Sequence, residues 1–152
     1  MTDTTFTAAQ RATLSGVLDA IIPRSADGRL PGAGELGLAE AIEEKFGAMR
    51  PFVARSLDAL DALAREQRAD AFAALAAADR QDVLNAHAAS DPGFLPGLVF
   101  QTYAAYYQNA RVVQALGVEA RPPHPLGYPL EQADLGALLA PVRARAKLYR
   151  NV

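Results

Sequence analysis

The sequence has 152 residues, of which 51% are hydrophobic and 21% charged, and its formal net charge is −2. This composition is typical of a soluble globular protein, and the length suffices for one domain with its own core. We therefore expect a single domain over residues 1–152. Cysteine is absent, which excludes disulfides, thiolate metal sites and cysteine nucleophiles. The small net charge gives no global argument for nucleic-acid binding.

The N-terminal residues carry no recognisable export signal. They lack a basic segment, an uninterrupted apolar segment and a twin-arginine pair. No apolar run approaches the ~20 residues of a membrane helix, since Pro96 and Gln101 interrupt the longest candidate. We therefore expect a cytoplasmic chain with no direct membrane insertion.

The first predicted helix begins at Thr7, because Thr7 and Gln10 have the spacing of a capping box. An amphipathic stripe follows, made of Leu14, Val17, Leu18, Ile21 and Ile22. Pro23 should end this helix, because the residue before a proline is disfavoured in helical conformation.

Residues 23–37 read PRSADGRLPGAGELG and predict a long irregular connection with few apolar anchors. Loops of this length are usually functional or mobile. A phosphate-binding loop is the alternative interpretation of the glycines. That interpretation is disfavoured because no strand precedes them and no Lys-Ser/Thr pair follows.

Leu38 to Met49 is the second predicted helix, with Leu38, Ile42 and Phe46 on its buried face. Three carboxylates, Glu40, Glu43 and Glu44, are expected to point outward. They could form an acid/base pair or hold a metal, but no histidine or second acidic cluster stands at ligand spacing. A solvated helix face is the favoured interpretation.

Two further helices are predicted before residue 91. Pro51 suits the first turn of one, and Asp79 is expected to cap the other. His87 lies near the apolar face of the second. It could act as a general base, but the sequence places no Ser, Cys or Asp to form a recognisable catalytic set with it. A histidine at the surface or at the edge of the core is the favoured interpretation.

An aromatic-rich helix starts after Asp91-Pro92-Gly93. Its apolar residues extend beyond a single stripe, which predicts burial on more than one side, in the middle of a bundle. Tyr103, Tyr106 and Tyr107 suit either a core or an interface, because each ring is apolar with a polar tip.

Gly117 is expected to end this helical region. The four prolines of residues 118–133 then favour an extended arm. Pro123, His124 and Pro125 lie in it, and Tyr128 is the expected docking anchor. A metal or catalytic role for the isolated His124 is disfavoured.

Asp134 should cap the last helix, whose apolar face comprises Leu135, Leu138, Leu139, Val142, Ala146 and Tyr149. Pro141 should kink or restart it. The four cations near the C-terminus are Arg143, Arg145, Lys147 and Arg150. They are compatible with a solvated helix end, a contact with an acidic partner or, less well, nucleic-acid binding.

The sequence thus predicts an all-α fold, an irregular bundle of six or seven helices with two long extended connections at 23–37 and 117–133. It favours a chain that presents surface to a partner. Two alternatives stay open. One is a stand-alone helical domain that binds a small molecule or acts as an enzyme, with a pocket near Tyr103, Tyr107, His87 and His124. The other is a helical adaptor with a basic C-terminal tail.

The order of the short motifs resembles the gluconate 2-dehydrogenase subunit 3 family along nearly the whole chain. The motifs are LDAIIP at 18–23, LPGA at 30–33, ELG at 35–37, FxxL at 72–75, DRxxVL at 79–84, TYxxYY at 102–107, ALG at 115–117, PHPLGY at 123–128 and the closing Tyr149-Arg150.

The resemblance implies a small, cofactor-free, non-catalytic subunit of a flavin-dependent sugar or sugar-acid dehydrogenase. The large subunit, of the glucose–methanol–choline oxidoreductase type, would carry FAD and the catalytic base. Small subunits of this family often carry a twin-arginine signal. A periplasmic location is therefore the alternative, if such a leader was removed. The resemblance implies no catalytic, cofactor-binding or metal-binding residue. The expected partner contacts are Pro31, Tyr103, Tyr106, Tyr107, Pro123, His124, Pro125 and Tyr128.

Overall fold

The structure, a computed structural model, describes residues 5–120 and 134–145. These residues form seven α-helices and no strand, which confirms the all-α prediction. The chain divides into two compact units, Met1–Ala120 and Arg121–Val152, and each is described by itself. The expectation of one domain over residues 1–152 stays a prediction.

The first unit contains α1 (Ala8–Ile21), α2 (Ala39–Lys45), α3 (Arg50–Arg68), α4 (Ala77–Ser90), α5 (Phe94–Gln108) and α6 (Ala110–Ala115). Short 3-10 turns span Gly34–Leu36, Gly47–Met49 and Phe72–Ala74. The second unit contains α7 (Leu135–Arg143). None of the helices in the described ranges is both long enough and apolar enough to cross a membrane.

Helix α1 is the helix around which the first unit is built. The predicted capping box is present, with the Gln10 backbone N–H donating to Thr7 Oγ1 at 3.2 Å and the Thr7 N–H donating to Gln10 Oε1 at 2.9 Å. The helix ends before Pro23, as predicted, because Ile22 is already extended. Since α1 contacts α2, α3, α4 and α5, it occupies the middle of the bundle. The prediction that gave this position to α5 is wrong.

The predicted outward position of Glu43 is also wrong. Glu43 is only 4% exposed. The Arg11 guanidinium donates to Glu43 Oε2 at 2.9 Å, and the Phe6 backbone N–H donates to Oε1. Burial raises the pKa of the Glu43 carboxyl, but these hydrogen bonds and the charge of Arg11 outweigh burial and leave it below its ordinary value. The hydrogen bonds of Glu43 thus hold the N-terminal segment against α2. Glu40 and Glu44 are exposed, as predicted.

Helices α3 and α4 pack against each other. Pro51 lies in the first turn of α3, as predicted. The prediction that Asp79 caps α4 is wrong. The cap position is Ala76, and no side chain among the described residues hydrogen-bonds to that end of the helix. Asp79 instead accepts a hydrogen bond from Arg68 Nε at 2.8 Å. The carboxylate therefore ties the end of α3 to the first turn of α4.

Helices α5 and α6 meet at Asn109, whose backbone is extended and whose side chain accepts from the Arg111 N–H at 3.0 Å. Gly117 follows α6 with a φ of 78°. A left-handed backbone of this kind favours glycine, which agrees with the predicted end of the helical region.

Helix α7 begins where predicted. The Asp134 side chain accepts a hydrogen bond from the Ala137 N–H at 3.1 Å. Pro141 lies inside the helix, which continues to Arg143 without a restart. The predicted apolar residues Ala146 and Tyr149 lie outside the described residues.

Candidate functional site: an aromatic face on α5

One face of α5 packs into the core, and it consists of Phe94, Leu98, Thr102 and Tyr106. These residues recur every four positions, so they form one narrow stripe along the helix. The prediction that α5 is buried on more than one side is therefore wrong for the described structure.

A second stripe of α5 faces outward. Phe100, Tyr103 and Tyr107 are 69%, 45% and 51% exposed. Their spacing of three and four residues places them on one side of the helix. The rings of Tyr103 and Tyr107 stack with centroids 6.1 Å apart. We call these three residues the aromatic face. A contiguous exposed apolar surface of this kind is typical of an interaction site.

Tyr106 lies between the aromatic face and the core. Tyr106 is only 1% exposed. Its ring lies nearly perpendicular to that of Tyr107, and the two ring centroids are 5.2 Å apart. Its hydroxyl donates to the carbonyl oxygen of Pro31 at 2.8 Å. Burial raises the pKa of Tyr106, so the hydroxyl stays protonated and able to donate.

The loop at residues 23–37 is held against the helices by several hydrogen bonds. The Ala33 N–H donates to the Ile22 carbonyl at 2.9 Å, and the Gly34 N–H donates to Asp19 Oδ1 at 2.8 Å. Pro31 and Ala33 are buried. The prediction of a connection with few apolar anchors is therefore wrong, because residues 31–33 are buried and Leu30 and Leu36 pack against the core.

Charged residues hold the outer part of the same loop. Arg24 Nε donates to Glu35 Oε1 at 2.8 Å, and Arg29 donates to the Ala115 carbonyl at 3.1 Å. The hydrogen bonds from Arg24 lower the pKa of the Glu35 carboxyl. These contacts join the two ends of the loop and link it to the end of α6.

The predicted contact residues thus differ in their exposure to solvent. Tyr103 and Tyr107 are exposed, whereas Tyr106 and Pro31 bond to each other in the interior. Phe100, the most exposed member of the aromatic face, was not among the predicted contacts, although its place three residues before Tyr103 was a signal for it. Pro123, His124, Pro125 and Tyr128 lie outside the described residues. A partner-binding role for the whole set stays a prediction.

His87 contributes to a separate open cavity of about 470 Å³ between α3 and α4. Ser56, Ser90 and Asp91 also line it. Serine and aspartate side chains therefore lie in the same cavity as His87, and their hydrogen bonds decide whether they form a catalytic set with it. Asp91 lies four residues after His87, which was a usable signal, whereas Ser56 comes from another helix.

The hydrogen bonds in this cavity do not form an activated nucleophile. The Ser56 hydroxyl donates to Asp91 Oδ2 at 2.7 Å, and the Ser90 hydroxyl donates to the His87 carbonyl at 2.8 Å. His87 Nε2 is buried and has no hydrogen-bond partner within the part of the chain that the structure describes. Burial lowers the pKa of His87, although the charge of Asp91 acts in the opposite direction. A Ser–His relay needs a hydrogen bond between the two side chains, and the present arrangement lacks it.

Within residues 5–120 and 134–145, no three side chains of His, Asp or Glu converge in a group that could hold a metal ion.

Comparison with known families gives the context for the aromatic face and the loop. Residues 8–116 match the family described as Gluconate 2-dehydrogenase subunit 3. The chain belongs to the gluconate 2-dehydrogenase subunit 3 family. The match begins at the start of α1 and ends with α6, so it includes the loop and the whole aromatic face. No curated protein and no solved structure matches the chain.

Proposed function

We propose that this chain is the non-catalytic accessory subunit of a flavin-dependent sugar or sugar-acid dehydrogenase, and that it binds and stabilises the large subunit. The observation that carries the proposal is the membership of residues 8–116 in a family of dehydrogenase subunits. FAD and the catalytic base are expected in the large subunit, of the glucose–methanol–choline oxidoreductase type, and no cofactor is expected in this chain.

The aromatic face supports this proposal in physical terms. Phe100, Tyr103 and Tyr107 expose large rings to solvent on one side of α5. Aromatic side chains are enriched where protein subunits meet, because they bury much area and lose little conformational entropy. The helix beneath is fixed by Tyr106 and its bond to Pro31, so the face is preorganised for docking.

Co-purification tests the proposal. A tagged chain is co-expressed with a candidate large flavoprotein subunit, and the eluate is examined for both chains and for flavin absorbance. We expect a complex of defined stoichiometry. Phe100→Glu should weaken it, because a carboxylate would be buried at the contact. Ala89→Glu adds the same charge at an exposed position of α4 and should bind as the wild type does. A wild-type chain that elutes alone, without the flavoprotein, would reject the proposal.

The cavity beside His87 favours one second candidate, a stand-alone domain that binds a small molecule. An unpartnered buried imidazole nitrogen and a serine–carboxylate pair offer polar groups to a ligand. Under this candidate, the isolated chain would bind a small molecule in the absence of any flavoprotein, and His87→Phe would abolish that binding in a calorimetric titration.

A further inference from the structure

The cavity between α3 and α4 has an apolar wall on α3. Phe52, Ala59 and Leu63 line it, and their separations of seven and four residues place them on one side of that helix. The cavity measures about 470 Å³, which lies in the range of small-molecule sites, roughly 300–1,000 Å³. Its wall therefore suits a ligand with an apolar group.

The same cavity contains one cation and one carboxylate that do not pair with each other. Arg55 comes from α3, and Asp91 follows the last residue of α4. Among residues 5–120 and 134–145, the guanidinium of Arg55 has neither an ion-pair partner nor a hydrogen-bond partner. Both charges thus border the cavity, and neither is neutralised by the other.

The carboxylate of Asp91 is held in place by α3. Ser56 is 5% exposed, and its hydroxyl donates its one proton to Asp91 Oδ2 at 2.7 Å. The Asp91 N–H also donates to the His87 carbonyl at 2.8 Å, which fixes the backbone. A carboxylate accepts more than one hydrogen bond, so Asp91 is preorganised and still able to accept from a ligand.

The imidazole of His87 lines the cavity without adding a charge. Its ring meets that of Phe94 edge to face, with the centroids 5.4 Å apart. Burial lowers the pKa of His87, so the imidazole is neutral at pH 7. The charges that line the cavity are therefore one positive and one negative. Asp91 would repel a simple anion, and Arg55 would repel a simple cation, whereas a zwitterion gives each of them a counterion.

We propose that this cavity binds a zwitterionic α-amino acid with an apolar side chain. Arg55 donates to the ligand carboxylate, and Asp91 accepts from the ligand ammonium group. Hydrogen bonds between charged groups are the stronger kind, and together they orient the ligand. Its side chain lies along the wall of Phe52, Ala59 and Leu63. This inference rests on the second candidate of the proposed function and is independent of the association with a flavoprotein.

Calorimetric titration of the purified full-length chain with L-phenylalanine at pH 7 tests the proposal. We expect saturable binding of one ligand per chain. L-phenylalaninol lacks the carboxylate, and N-acetyl-L-phenylalanine lacks the ammonium group. Each should bind at least about tenfold more weakly than L-phenylalanine, because each loses one charged hydrogen bond.

Two exposed alanines of α3 provide matched variants. Ala59 lines the cavity, whereas Ala62 lies outside it. Ala59→Phe should fill the cavity and weaken L-phenylalanine binding by at least about tenfold, and Ala62→Phe should change it by less than about twofold. Arg55→Gln should weaken the binding of L-phenylalanine but not that of L-phenylalaninol, which offers no carboxylate to Arg55. Asp91→Asn should likewise spare N-acetyl-L-phenylalanine, and its side-chain oxygen can still accept from Ser56.

A wild-type chain that does not bind L-phenylalanine would overturn the inference. Binding that Ala59→Phe and Ala62→Phe leave equally strong would also overturn it, because the ligand would then lie outside the cavity. Equal affinities for the three probes would remove the role of the two charges and reject the zwitterion. None of these results bears on the accessory subunit, which co-purification with the flavoprotein decides.

Discussion

The bond between Tyr106 and Pro31 gives the sharpest prediction about the fold. Tyr106→Phe removes one hydroxyl and leaves the buried Pro31 carbonyl without its donor at 2.8 Å. An unsatisfied buried acceptor costs about 1–3 kcal/mol. The free energy of unfolding in urea should fall by that amount, and Tm by roughly 2–4 °C per kcal/mol. The loop should also open more often, so the amides of Leu30, Ala33 and Gly34 should exchange hydrogen faster.

Tyr107→Phe is the matched control for this measurement. It removes the same atom from the adjacent ring, but Tyr107 is half exposed and solvent can replace the hydroxyl's interactions. Its effect should stay within about 0.5 kcal/mol. The reasoning is refuted if both variants unfold at the same urea concentration and the exchange of the loop amides is unchanged in Tyr106→Phe.

Three further predictions concern single residues. Gly34→Ala should destabilise the fold by roughly 1–3 kcal/mol, because the added Cβ would overlap the Ser15 carbonyl oxygen. Gly97→Ala should stabilise α5 by about 0.5–1 kcal/mol, because the added Cβ would meet open space. Thermal unfolding of the two variants and the wild type measures both effects. Glu43→Gln should cost about 1.5–3 kcal/mol at pH 7. The folded pKa of Glu43 is lowered, so the stabilisation by its carboxylate is present above the unfolded pKa of about 4.3 and is lost as the pH falls through the folded pKa. The free energies of unfolding of the wild type and Glu43→Gln, measured in urea from pH 7 to pH 3, should therefore converge at low pH. Burial lowers the folded pKa of His87, so the free energy of unfolding should decline as the pH falls below the unfolded pKa of about 6.5. His87→Leu should flatten that part of the pH profile, and an unchanged profile would contradict a lowered pKa for His87.

The local signals in the sequence were sufficient for several helix boundaries. The capping box at Thr7, the proline at position 23 and the cap at Asp134 each act within a few residues, and the structure confirms them. The same short range explains the error at Asp79. Asp79 lies in the first turn of α4, three residues after the cap position, where its carboxylate accepts a hydrogen bond from Arg68 of the preceding helix.

The remaining errors have a common physical cause, since each depends on a partner that is distant in sequence. Glu43 is buried because Arg11, 32 residues away, satisfies its charge. The buried hydroxyl of Tyr106 has a partner because it meets a carbonyl oxygen 75 residues earlier in the chain. A helical pattern with apolar residues on several sides does not define which side faces the core, and the packing of α5 on α2 and α1 decides this.

The same packing determines how mutations on α5 should be interpreted. Tyr107 contacts Tyr106, and Tyr106 holds the loop, so replacing either ring can alter the conformation of residues 23–37. A loss of partner binding in a Tyr106 variant would therefore not show that this residue contacts the partner. Phe100 is 69% exposed, and within the described part of the chain its ring contacts neither Tyr106 nor Tyr107. A charge introduced at Phe100 tests the surface itself, because the core beneath α5 is left intact.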